Sequence, residues 1–140
     1  MTSRAPHAHV VVQASPEEVV LIRRVRNGRE YFVAPGVAVA DGETPGVAAA
    51  RAAREELGIE VVTGEMVHAQ VFAGVDHFFF MATAQSEPPA DQPAPDHDDF
   101  ELDSELDGSY EIVRVRVKAI LGHDVRPLAL ARQISSLSGP

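Results

Sequence analysis

Apolar and polar positions change rhythm several times along the chain, and each change marks an element. His9 to Ala14, HVVVQA, is a short apolar run, the pattern of a buried strand, and Ser15-Pro16 ends it. Val19 to Arg26, VVLIRRVR, and the REYFVA that follows Asn27-Gly28 predict a hairpin. Asn-Gly accepts the positive φ angles that a tight two-residue turn requires. Pro35-Gly36 opens a loop that runs to Glu43.

The period then becomes helical. Thr44 suits an N-cap and Pro45 the first helical position, where a missing N–H costs nothing. An alanine-rich run carries the helix on, and Gly58 supplies the stop because it accepts the left-handed conformation. Val47, Ala50, Ala53 and Leu57 are expected on the face turned to a sheet. Strands are predicted near 59–65, 66–73 and 77–84, and SYEIVRVRVK at 109–118 alternates like a half-buried strand. RPLALARQISSL predicts a C-terminal helix that buries Leu128, Ala131 and Ile134. Between these, Pro88, Pro89, Pro93, Pro95 and many acids predict a mobile loop over 86–107. The expected class is α/β, a mixed sheet flanked by helices, in a single domain over residues 1–140 with its ordered core at about 8–134.

Charge narrows the function. The formal net charge is −9, and ten acids with no Lys or Arg lie between Glu87 and Glu111. Removing that −10 leaves +1 for the rest of the chain, so the expected body is near neutral and carries one acidic stretch. No basic stripe is present for gripping a nucleic acid polymer. No cysteine is present, which excludes disulfides and thiolate metal sites. No apolar stretch approaches a membrane span and the N-terminus has no signal-peptide pattern, so the expectation is cytoplasmic.

The candidate chemistry sits at the end of the first helix. Ala52, Glu55 and Glu56 are three and four residues apart and are expected on one side. Arg51 is one turn above Glu55, and Glu43 precedes the helix and can fold back toward it. Paired carboxylates on a rigid helix suit a hard cation such as Mg²⁺ or Mn²⁺, which takes few carboxylates and completes its shell with phosphates and water. Asp76 and His77, at a strand entrance, are further candidates, whereas His7 and His9 read as incidental. Tyr31, Phe32 and Phe78 to Phe80 could stack on a base, although core packing is their commoner use.

PGVAVADGETPGVAAARAAREELGI resembles the Nudix box, G-x5-E-x7-R-E-U-x-E-E-x-G-U with U a bulky aliphatic: Glu43, Arg51, Glu55, Glu56, Gly58 and Ile59 match in register. The resemblance implies an α/β/α sandwich and divalent-cation-dependent hydrolysis of a nucleoside diphosphate linked to another moiety. It implies that Glu55 and Glu56 help hold Mg²⁺ or Mn²⁺ and that Arg51 and Glu43 order the site. It also implies a small-molecule diphosphate substrate and admits a homodimer. Two departures stand out. Ala52 replaces a glutamate that in the family commonly ligates metal, and Val37 replaces the first glycine. The Val37 carbonyl can still face a metal, but a β-branched residue disfavours positive φ. Glu101, Asp103 and Glu105 are candidate sources of a replacement base. Two readings follow: a hydrolase with a depleted site, or an inactive relative that binds a nucleotide-like ligand or a protein.

Overall fold

The computed structural model describes residues 5–85, 92–93 and 108–136. Strands β1 (His7–Ser15), β2 (Glu18–Arg26), β3 (Arg29–Val33) and β4 (Gly36–Ala38) precede helix α1 (Pro45–Leu57). Strands β5 (Val61–Phe72), β6 (Val75–Ala84), β7 (Gln92–Pro93) and β8 (Gly108–Arg116) follow it. A 3₁₀ helix at Val117–Gly122 and helix α2 (Leu128–Ser135) complete the described chain. The sheet runs β5-β6-β1-β2-β8-β7, with β3 also paired to β2 and β4 to β1. It is mixed: β1 and β6 are parallel, whereas β1–β2, β2–β8 and β5–β6 are antiparallel.

Alternation along β1 and β2 builds a core on each face of this sheet. Val10, Val12 and Val20 pack with Ala48, Ala49, Ala52 and Ala53 of α1. Val11, Val19 and Leu21 pack on the other side with Ile120, Leu130, Ala131 and Ile134. Successive side chains of a strand point to opposite faces, so a continuous valine run serves two helical layers at once.

The local signals act as expected at several places. Asn27 and Gly28 take φ of 54° and 76° in the β2–β3 turn. Thr44 Oγ1 accepts the Val47 N–H at 3.2 Å, Pro45 opens α1, and Gly58 closes it at φ 73°. Other expectations are corrected. A short strand, β4, interrupts the loop after Pro35 and pairs with the start of β1. The two strands expected at 59–65 and 66–73 are one strand, β5, which runs through Gly64 with register shifts between Thr63 and His68. The buried face of α1 is Ala48, Ala49, Ala52, Ala53, Glu56 and Leu57, and Val47 points outward at 58% exposure. In α2, Leu130 joins Ala131 and Ile134 in the core, whereas Leu128 is exposed. The acidic stretch expected to be mobile falls largely outside the described residues; within it, Gln92–Pro93 pairs with β8.

Candidate active site on helix α1

Arg51 organises the outer side of α1. Its Nε and Nη2 donate to Glu43 Oε2 and Oε1 at 3.0 and 2.9 Å. Nη2 also donates to the Ala38 carbonyl at 2.8 Å, and Nη1 to Glu55 Oε2 at 3.1 Å. Glu43 accepts the Ala40 N–H at 2.9 Å as well. One guanidinium thereby ties the loop after β4 to the helix through a two-pronged carboxylate contact, a geometry that lysine cannot copy. The hydrogen bonds from Arg51, then that from Ala40, hold the Glu43 carboxyl down to about 2. Hydrogen bonding to Glu43 and then Glu55 raises the Arg51 pKa further above its ordinary value.

The inner side of α1 is different. Glu56 is 5% exposed, and among the described residues it is the charged side chain that is buried. Its Oε2 accepts the Gly36 N–H at 3.1 Å. Burial pushes its carboxyl up to about 7; the Gly36 hydrogen bond opposes that rise and the neighbouring Glu55 charge adds to it. Glu55 lies about 100° around the helix from Glu56 and has a half-exposed side chain. The side shared with Glu56 belongs to Ala52, which is fully buried against Ala8, Val10 and Val12. The three positions expected on one side are thus divided between two environments.

Gly36 is fixed from both directions. A Cβ at this position would lie 2.2 Å from His9 Nδ1, so no side chain fits while the ring stays in place. His9 Nε2 and His77 Nδ1 are 2.9 Å apart, and the His9 ring stacks on Phe79 with centroids 4.4 Å apart. Burial, and after it the proximity of His77, lowers the His9 pKa to about 4, which keeps this ring neutral. His7 completes the cluster, 5.2 Å from His77 between centroids. Far from incidental, His9 is packed directly against the backbone that contacts Glu56. The sequence carried a signal for this in the His-x-His alternation opening β1, which puts both rings on one face. Val37 lies in β4, opposite Ala8, and is not among the residues at positive φ. Its β-branched side chain is therefore at ease there.

Glu55, Glu56 and the Val37 carbonyl are the oxygen donors that the sequence pattern offers to a cation. Among the described residues no three His, Asp or Glu side chains form a group that could hold an ion. Two carboxylates and a carbonyl still suit Mg²⁺ or Mn²⁺, which leave much of their shell to water and substrate phosphates. A buried carboxyl with a raised pKa is also a group whose ionised form a cation would favour. A cleft of about 450 Å³ opens beside the first turns of α1, bordered by Glu43, Arg51, Thr63 and Phe80. Glu101, Asp103 and Glu105 lie outside the described residues. Asp76 is exposed at the start of β6.

Comparisons agree with this architecture. The family profile of the NUDIX domain matches residues 3–108. A hydrolase of the NUDIX family from Clostridium perfringens superposes with a TM-score of 0.68 at 15% identity, covering 97% of each chain. A MutT structure, from a study of the Aliivibrio salmonicida and Vibrio cholerae proteins, gives 0.68 at 16% identity over 97% of this chain and 98% of that one. A NUDIX hydrolase from Nitrosomonas europaea gives 0.70 at 15% identity over 97% of this chain and 73% of its own. A comparison with curated protein sequences gave no match. At such identities the superpositions establish the fold, and the profile covering about three quarters of the chain establishes the family. With the sheet, the clamped helix and the profile in agreement, this chain belongs to the NUDIX family, and its general class is that of the Nudix-type hydrolases.

Proposed function

We propose that the chain hydrolyses a P–O–P linkage in a nucleoside diphosphate derivative or a related small diphosphate. Mg²⁺ or Mn²⁺ would be held by Glu55, Glu56 and the Val37 carbonyl, with Arg51 and Glu43 ordering the site. The supporting observation is the buried Glu56 carboxyl, set against the Gly36 N–H on the helix that Arg51 clamps. Hydrolysis joins a water oxygen to one phosphorus, and the bridging oxygen leaves with the electron pair of its bond. A bound divalent cation supplies neutralisation of the leaving phosphate and acidifies water. The residues supply position and proton handling. A carboxyl held near 7 can take or give a proton at neutral pH. The Arg51 contacts to Ala38 and Glu43 fix the loop over which a diphosphate would lie. With Ala52 in place of a third carboxylate, turnover is expected to be slow. We assign the protein to the cytoplasm, acting on small molecules rather than nucleic acid polymers, with a homodimer as an admissible assembly.

The complete burial of Ala52 favours a second reading, ligand binding without turnover, because a carboxylate there would disrupt the packing. One assay separates the two. The protein is incubated with a panel of nucleoside diphosphate derivatives and Mg²⁺ or Mn²⁺, beside Glu56→Gln. Metal-dependent turnover that falls at least about 100-fold in Glu56→Gln supports the hydrolase. Ligand-dependent thermal stabilisation without turnover supports the binder. A protein that shows neither, and no response to Mn²⁺, sinks both.

A further inference from the structure

Behind the Gly36 amide that meets Glu56, a chain of contacts leads through β1 to β6. Gly36 is not among the glycines at positive φ, so backbone angle does not explain its place. Space does: an added Cβ would lie 2.2 Å from His9 Nδ1, 2.6 Å from its Cε1 and 2.9 Å from its Cγ. The His9 ring fills the room that a side chain at position 36 would take. The backbone keeps the two together. Gly36 stands opposite His9 in the β1–β4 pairing, and the Val10 N–H donates to the Pro35 carbonyl at 2.9 Å. Whatever fixes Gly36 fixes two groups at once: the N–H that meets Glu56 and the peptide leading to the Val37 carbonyl.

Two contacts restrain the His9 ring, each in its own way. Phe79 stacks on it with centroids 4.4 Å apart and planes at 11°, which fixes the plane of the ring. Stacking leaves a half-turn about the Cβ–Cγ bond open. That half-turn would press a C–H against Gly36 in place of Nδ1, where room is already short. The contact with His77 distinguishes the two orientations. His9 Nε2 lies 2.9 Å from His77 Nδ1, and the turned ring would offer a C–H there instead. A single hydrogen between two imidazole nitrogens also fixes complementary tautomers, because one ring donates and the other accepts. His77 is held in its turn, opposite His7 in the β1–β6 pairing and with the Phe72 ring edge-on at 6.3 Å.

We propose that His77 is a positioning residue of the candidate site. By selecting the orientation of the His9 ring it holds the Gly36 backbone, and with it Glu56, in the geometry that receives a divalent cation. The inference rests on the cation-binding reading above and adds to it a residue outside the box, acting through two intermediaries. Hydrogen-bonded groups behind a ligand orient it, and losing one typically costs about 10–100-fold in metal affinity.

The test compares the full chain with His77→Phe, which keeps a ring but loses the nitrogen, and with His77→Asn, whose amide restores a polar atom at the δ position. Two quantities are read. One is amide hydrogen exchange at Gly36 without metal, set against exchange at the core residue Val20. The other is the Mn²⁺ dissociation constant, from the spin-resonance signal of the free ion. In His77→Phe, Gly36 exchange is expected to quicken at least about ten-fold with Val20 unchanged, and the Mn²⁺ constant to rise about ten-fold. His77→Asn is expected to restore both. Unchanged Gly36 exchange in His77→Phe, equal quickening at Gly36 and Val20, or a His77→Asn as impaired as His77→Phe would each overturn the proposal. Quickened Gly36 exchange with unchanged Mn²⁺ affinity would overturn it too. A parent chain that binds no Mn²⁺ overturns the cation-binding reading instead, and Gly36 exchange then still decides whether His77 positions this backbone.

Discussion

Glu55 and Glu56 are adjacent, chemically identical, and embedded in opposite worlds. Glu55 sits on the outer face of α1, half exposed, with Arg51 as its partner. Glu56 sits on the inner face among alanines and valines, where its Oε2 meets the Gly36 N–H. The outer face makes its order from charge pairing and tolerates water. The inner face makes its order from packing and keeps a single carboxyl at the price of its ordinary acidity. A helix that joined these functions on one face would either lose the clamp or flood the core.

The sharpest way to break this comparison is to put a second acid on the inner face. Ala52→Glu buries a carboxylate in a packed layer and is expected to cost about 3–5 kcal/mol. Its urea midpoint reads this directly, and a variant as stable as the parent would show that the inner face is not packed as described. Glu56→Gln is next. Because burial raises the Glu56 carboxyl from 4.5 to about 7, the folded protein binds more protons than the unfolded chain between those values. The stability associated with this group is therefore present below pH 4.5 and lost as pH rises through 7, by on the order of 3 kcal/mol. Glu56→Gln should flatten that slope. Mg²⁺ should restore the parent's stability more at pH 8 than at pH 5, as thermal scans at the two pH values would reveal.

On the outer face the effects are smaller and point the other way. Arg51→Met removes the link between α1 and the end of β4 at Ala38, and the thermal midpoint is expected to fall by about 5 °C. The depressed Glu43 carboxyl contributes stability that is present above pH 4.5 and lost as pH falls toward 2. That acid limb should vanish from the pH profile of Arg51→Met. Glu55→Gln should change stability least, by less than about 0.5 kcal/mol, as for an exposed pair three to four residues apart. Its signature is instead a several-fold higher Mg²⁺ requirement for turnover, and an unchanged requirement would remove Glu55 from the proposed ligand set.

How far the sequence could be read followed from whether a local rule carried the information. Thr44, Pro45 and Gly58 marked the limits of α1 because capping and φ preference are local. The clamp was legible because Glu43, Arg51 and Glu55 keep a fixed spacing. The orientation of the helix was not, since an alanine-rich run offers almost no contrast between faces, and Val47 misled where Ala48 and Ala49 carry the packing. Strand β4 is three residues long, too short for any alternation. The break between β5 and β6 was legible, and its turn pairs Ala73 at φ 54° with Gly74 at φ 78°. Gly36 and His9 lie 27 positions apart, and only the sheet brings them into contact.

That contact has one more consequence. The Gly36 amide hydrogen is aimed at a carboxyl that changes ionisation near neutrality, and the His9 ring holds the glycine in place. A hydrogen bond strengthens when its acceptor becomes charged. In a nitrogen–proton correlation spectrum, this glycine resonance should move downfield as Glu56 loses its proton. A single peak, in the sparsely populated glycine region, thus becomes an indicator dye built into the backbone, able to follow the site without any substrate present.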